Sequence, residues 1–140
     1  PEITWRDPNT PAHLGDLPHS WIGAEYILAL HSLFAYEREA DQSLVVGAGI
    51  PDSWLSGRGV VVEGLATWYG NLDLSMRRTT RDEIRFDLSG ALRMPLGKII
   101  VRPPGKQPIR AVTVNGSATE LFSVSQVTIG ALPAAAIVHY

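Results

Sequence analysis

The chain has 140 residues, the usual length of one domain, and its 45% hydrophobic and 19% charged content excludes a disordered polymer. A formal net charge of −2 gives no electrostatic basis for proposing nucleic acid or an anionic membrane as a partner. The absence of cysteine excludes disulfides and thiolate metal sites, and no apolar run reaches the roughly 18–20 residues that span a bilayer.

The first 41 residues predict an extended lead-in followed by one long helix. Four prolines interrupt the lead-in, at Pro1, Pro8, Pro11 and Pro18. The helix is predicted from about Trp21 to about Glu39, with Ser20 as its N-cap. Its apolar residues occupy two faces, and a single sandwich covers only one side of a helix. The sequence therefore favours a partner on the other side, either another domain or a second copy of the chain.

Segments of alternating apolar and polar residues follow the helix and predict strands. Leu72, Leu74 and Met76 alternate with polar residues, a period of two that gives a strand one apolar face. Asn115-Gly116 predicts a type I′ hairpin. The expected strands lie near residues 43–47, 60–66, 69–78, 82–88, 97–102, 109–115, 122–129 and 134–139.

Seven or eight short strands at this spacing predict a mainly β fold. We expect an antiparallel β-sandwich preceded by one long α-helix. Residues 1–41 would form the lead-in and helix, and residues 42–140 the sandwich, together as one compact domain.

The start of the predicted helix contains candidates for acid–base catalysis. Glu25 lies in the second turn of an otherwise apolar helix, where burial would raise the pKa of its carboxyl group. With His19 nearby and Trp21 as an aromatic floor, such a carboxylic acid suits general acid–base chemistry on a sugar. Alternatively, Glu25 pairs with an arginine or faces solvent. The sequence offers no clear second carboxylate for a glycosidase mechanism.

Trp54, Trp68 and Tyr69 are candidates for a carbohydrate-binding platform, because exposed aromatic rings at loops and strand edges stack on pyranose rings. The alternative is that these side chains plug the ends of the sandwich or its seam with the helix. The histidines His13, His31 and His139 are scattered and lack ligand spacing, so neither a metal nor a cofactor is predicted. Gly47-Ala48-Gly49 leads into Ile50-Pro51 and does not favour a phosphate-binding loop.

Four stretches of the chain resemble a known enzyme family. They are PHSWIGAEY at residues 18–26, LVVGAGIP at 44–51, GVVVEGLAT at 59–67 and IRAVTVNG at 109–116. Together they are similar to the C-terminal end of bacterial six-hairpin glycosidases, some of which also carry a coagulation factor 5/8 (discoidin) type domain. In that family an (α/α)6 barrel holds the active site, ends in a helix, and is followed by an antiparallel β-sandwich packed on the barrel.

The resemblance implies that this chain is the tail of a longer carbohydrate-active enzyme. Its sandwich would brace a helical catalytic barrel and would not turn over substrate by itself. His19, Trp21 and Glu25 match positions that border the sugar site in rhamnosidase-like relatives. The expected partners are the helical barrel of the parent chain or a second copy bound through the helix, with an oligosaccharide as ligand. A free-standing carbohydrate-binding module and a small glycosidase using Glu25 are the alternatives.

Overall fold

The computed structural model describes residue 9, residues 19–105 and residues 107–140. The predicted extended lead-in lies outside these residues, except for residue 9. The chain divides into two compact units, Pro1–His31 and Ser32–Tyr140. The larger unit contains every strand of the described residues.

The helix is shorter than the sequence predicts. Helix α1 spans Ser20–Phe34, and its first turn is closed by the Gly23 N–H, which donates to the His19 carbonyl at 3.1 Å. His19 therefore occupies the N-cap position that was expected for Ser20, a difference of one residue. The segment Ala35–Arg38, predicted as helical, instead forms strand β1, because it pairs antiparallel with residues 43–46. A strand of four residues is too short to show a periodicity that distinguishes it from the end of a helix.

Ten strands follow α1 in the described part of the chain and confirm the mainly β prediction of a helix followed by a sandwich. They are β1 Ala35–Arg38, β2 Ser43–Val46, β3 Val60–Thr67, β4 Gly70–Thr80, β5 Glu83–Ser89, β6 Ile99–Val101, β7 Ala111–Val114, β8 Ser117–Ala118, β9 Val127–Ile129 and β10 Ala134–His139. One sheet has the order β1-β2-β6-β9 and the other β3-β4-β5-β10-β7-β8. All strand pairs are antiparallel except β2 with β6, which run parallel.

The core lies between the two sheets and follows the predicted alternation. Leu72, Leu74 and Met76 of β4 are buried, while the intervening residues are half-buried, and β5 shows the same pattern. Strand β2 is buried at every position, as expected for a strand covered on both sides. Burial of these side chains, at about 25 cal/mol per Å² of apolar surface, is the main stabilising contribution.

Turn chemistry was predicted well where glycine, asparagine or proline determines it. Asn115 and Gly116 adopt φ values of 50° and 81° and join β7 to β8, as a type I′ turn requires. The segment after Pro51 forms a single helical turn, a 3-10 helix at Asp52–Leu55. The second 3-10 helix, Glu39–Asp41, joins β1 to β2.

One predicted strand is mostly irregular. Of residues 122–129, only Val127–Ile129 forms a strand, β9. The Ser123 N–H donates to the Gln126 carbonyl at 2.8 Å, and Phe122 and Val127 form an isolated bridge, so the chain reverses within this segment. Among the described residues, no helix is long and apolar enough to cross a membrane.

Candidate functional site

A groove of about 580 Å³ lies on the surface of the larger unit. Three segments form its walls: β1 with the 3-10 helix after it, the turn between β3 and β4, and the irregular chain between β5 and β6. Its lining residues are Glu37, Arg38, Glu39, Gln42, Trp68, Tyr69, Arg93, Met94 and Leu96.

The β3–β4 turn places two of the predicted aromatic residues in this groove. Thr67 shapes the turn, because its Oγ1 donates to the Gly70 carbonyl at 2.7 Å and accepts the Tyr69 N–H at 3.1 Å. Gly70 has a φ of 126°, and a Cβ atom there would lie 2.3 Å from the Ala91 carbonyl oxygen. Only glycine fits at this close approach of two backbone segments.

Hydrogen bonds hold the turn against both other walls of the groove. The Trp68 N–H donates to Oε1 of Glu37 at 2.7 Å, and the Tyr69 hydroxyl donates to the Gln42 carbonyl at 3.2 Å. On the other side, the Arg93 N–H donates to the Tyr69 carbonyl at 2.8 Å. The Trp68 indole itself remains 70% exposed, so the turn presents an open aromatic face on a fixed backbone.

Arg38, one of the lining residues of the groove, belongs to a hydrogen-bonded network with Asp41 and Ser43. The Arg38 guanidinium donates to both carboxylate oxygens of Asp41, at 2.9 and 2.6 Å, and the Ser43 hydroxyl donates to the same carboxylate at 2.7 Å. The hydrogen bonds from Arg38, followed by that from Ser43, hold the pKa of Asp41 well below its usual range. The charge of Arg38 is therefore already neutralised.

Three other charged groups of the groove are available to a ligand. One oxygen of Glu37 accepts the Trp68 N–H, which leaves Oε2 without a hydrogen-bond partner among the described residues. Neither Glu39 nor the Arg93 guanidinium forms an ion pair with any described residue. The groove thus combines an aromatic face with both donors and acceptors, the groups that bind a polyhydroxylated ligand.

The third predicted platform residue, Trp54, does not line this groove. Its ring lies 6.4 Å from that of Phe34, at an interplanar angle of 35°, so it packs where α1 ends. The Trp54 side chain is 45% exposed, and its role in a carbohydrate-binding platform stays a prediction.

His19, Trp21 and Glu25 all belong to the smaller unit. The His19 and Trp21 rings form an edge-on pair with centroids 5.0 Å apart and an interplanar angle of 78°. The Glu25 side chain is exposed, which removes the apolar burial on which a general-acid role depends. A catalytic role for Glu25 and His19 stays a prediction.

Sequence reasoning missed most of the remaining groove residues. The sequence places Glu37 and Glu39 at the end of the predicted helix, whereas Glu37 lies in β1 and Glu39 in the 3-10 helix after it. No local sequence pattern indicates that Arg93 lies in the groove, because an isolated bridge between Gly70 and Leu92 determines its position.

Within the described residues, no group of three or more histidine and carboxylate side chains could hold a metal ion. The chain matches no protein-family model and none of the curated proteins to which it was compared.

Proposed function

We propose that this chain is the non-catalytic β-sandwich module of a carbohydrate-active enzyme of the glycoside hydrolase type, and that α1 packs into a helical catalytic domain. The observation that carries the proposal is the surface of α1, where no residue is buried. Its exposed large apolar side chains are Trp21, Ile22, Tyr26, Ile27, Leu28 and Leu30. Isolated proteins rarely expose contiguous apolar patches larger than a few hundred Å².

The distribution of these side chains favours a helical domain over a single flat partner. Glu25 is the one carboxylate of α1, and no lysine or arginine interrupts the helix. Ile22 and Tyr26 lie one turn apart along one face, whereas Trp21 and Leu28 lie along another. A helix that is apolar on several faces is stable only among several neighbours, as inside an array of helices. The resemblance to six-hairpin glycosidases supplies such a domain in the (α/α)6 barrel.

Hydrogen–deuterium exchange on the natural polypeptide that contains this sequence tests the proposal. An antibody against the sandwich isolates that polypeptide from its source, and mass spectrometry compares it with the 140-residue chain at a dilute, monomeric concentration. We expect amides of α1 to exchange rapidly in the 140-residue chain, since an exposed helix of this length is marginal in water. In the natural polypeptide they should be strongly protected.

Peptides from β5, which lies in the middle of its sheet, are the internal control and should exchange equally in both samples. Equal exchange of α1 in both samples, or a natural polypeptide without a helical domain, would contradict the proposal.

Oligosaccharide binding is the second candidate function, either in a free-standing module or in addition to bracing. The groove beside Trp68 is the specific observation that favours it, because an exposed indole lies there among unpaired donors and acceptors.

A further inference from the structure

We infer that the groove beside Trp68 binds a neutral pyranose oligosaccharide and discriminates against acidic sugars. The inference rests on the proposed carbohydrate function and specifies its ligand. It depends on residues of the larger unit alone and is therefore independent of where α1 docks.

The apolar part of the groove matches one face of a pyranose ring. Trp68 is 70% exposed and Leu96 is 84% exposed, so two large apolar side chains stand at the rim, with Met94 half-buried between the walls. A pyranose presents C–H groups on one face, and an indole offers those groups a large apolar surface. Tyr69 offers less open surface than Trp68, because its side chain is half-buried and packs against the core.

The backbone around the indole is already in place before a ligand binds. The backbone N–H of Trp68 donates to Glu37. The backbone carbonyl of Tyr69, the residue after Trp68, accepts the N–H of Arg93. Binding therefore does not lose free energy to the ordering of these groups. This pre-organisation favours affinity for a ligand as weakly apolar as a sugar.

The polar part of the groove supplies hydrogen bonds of both kinds. The Arg93 guanidinium only donates, whereas Oε2 of Glu37 and the carboxylate of Glu39 only accept. Sugar hydroxyls donate and accept at the same time, so a neutral sugar can satisfy all three groups. A ligand with acceptors alone would leave the two carboxylates unpaired.

The charge balance determines the class of sugar. Arg38 and Asp41 neutralise each other, which leaves Glu37 and Glu39 against Arg93 in the groove. With two carboxylates and one guanidinium left in its lining, the groove carries a net negative charge, which repels an added carboxylate or sulfate group. We therefore expect neutral hexose and pentose oligomers to bind and uronic-acid oligomers to be excluded.

Titration of the ¹⁵N-labelled chain with neutral hexasaccharides of glucose, xylose, mannose and rhamnose, and with hexagalacturonate, tests the inference. The indole N–H signal that is missing from the spectrum of Trp68→Ala identifies the Trp68 resonance. We expect this signal to shift saturably with at least one neutral oligomer. Hexagalacturonate should bind at least about tenfold more weakly or not at all.

Three variants make the result specific to the groove. Trp68→Ala should weaken binding by at least about tenfold while leaving the rest of the spectrum unchanged, because its side chain is mostly exposed. Trp54→Ala, the matched control, should leave affinity unchanged, since Trp54 does not line the groove. Glu39→Gln should reduce the difference in affinity between neutral and acidic oligomers.

Two outcomes would overturn the inference. One is a folded sample in which no oligomer shifts the Trp68 signal, and the other is hexagalacturonate binding as tightly as the neutral oligomers. Neither outcome affects the exchange experiment on α1, which tests the bracing role separately.

Discussion

Tyr140 carries the one buried side-chain polar atom without a hydrogen-bond partner among the described residues. The residue is only 9% exposed, and a Cβ atom on Gly105 would lie 2.3 Å from its ring, so the Gly105 backbone presses against the phenol. Burial raises the pKa of Tyr140 to about 12. Two smaller effects act in opposite directions: the charge of Arg78 lowers this pKa, and the charge of Asp52 raises it. A buried hydroxyl without a partner costs stability and contributes no hydrogen bond in return.

We predict that Tyr140→Phe leaves the free energy of unfolding at pH 7 unchanged or increases it by up to about 1 kcal/mol. The reason is that the substitution removes an unsatisfied polar atom and retains the ring. Urea unfolding at pH 7 measures the change. A loss of more than about 1 kcal/mol would show that the hydroxyl does have a partner in solution.

The same residue predicts a dependence on alkaline pH. The pKa of Tyr140 is higher in the folded chain than the ordinary value near 10, so the folded chain retains the proton longer than the unfolded chain does. Stability linked to this group is complete below pH 10 and is lost as the pH rises towards 12. Wild type should therefore lose stability relative to Tyr140→Phe across that interval, and the variant should lack the tyrosine titration near pH 12 followed by ultraviolet absorbance.

At the scale of elements, the end of α1 shows what local pattern can and cannot determine. The carbonyls of Leu33 and Phe34 accept hydrogen bonds from the N–H groups of Gly49 and Gly47, at 3.1 and 2.8 Å. The Gly47-Ala48-Gly49 motif, which the sequence did not explain, thus satisfies carbonyls that a helix end leaves unpaired. Helical periodicity could not reveal where α1 ends, because the partners that end it come from a loop more than ten residues away.

Gly49→Ala tests this contact. A Cβ atom at residue 49 would lie 2.7 Å from the Leu33 Cα and 2.8 Å from its Cδ2, and a backbone atom cannot yield as a side chain can. We expect a loss of about 1–3 kcal/mol in urea unfolding followed by tryptophan fluorescence.

The matched control is Gly130→Ala, where the nearest atoms belong to the Lys98 side chain at an ordinary 3.6 Å. It should change stability by no more than about 0.5 kcal/mol. If Gly49→Ala were as stable as the control, the loop would not pack on the helix end.

Alternation of apolar and polar residues predicted β4 and β5 well. Residues of β4 and β5 pair with sequence neighbours through short turns, so their pattern already contains the register. Strand β1 was missed because it pairs with β2 across the 3-10 helix and has too few residues to show a period. The fold class could therefore be predicted, whereas the edge of the smaller sheet could not.

At the scale of the whole molecule, only part of the candidate groove could be predicted from the sequence. Trp68 and Tyr69 could be proposed from residue type and from their position at the junction of two predicted strands, 60–66 and 69–78. Arg93 and Leu96 could not, since the chain between β5 and β6 is irregular and its position depends on bridges to β4. Composition suggests which side chains bind a sugar, but tertiary contacts decide which of them meet.

The exposed surface of α1 leads to a prediction about the isolated chain. Without the proposed helical domain, its apolar side chains remain in contact with water, and association of two copies would bury them. We expect sedimentation equilibrium to show concentration-dependent self-association of the 140-residue chain. The double variant Ile27→Glu/Leu28→Glu should stay monomeric, because it places charges among side chains that are 65% and 60% exposed.

A control of similar exposure lies on the sandwich. Val61 is 63% exposed and belongs to β3, the edge strand of the larger sheet, whose unpaired backbone groups offer a different route to association. Val61→Glu should leave self-association intact if α1 is the interface. If Val61→Glu yields monomers and the helix variant still associates, the sheet edge is the interface, and exposure of α1 no longer supports a docking role.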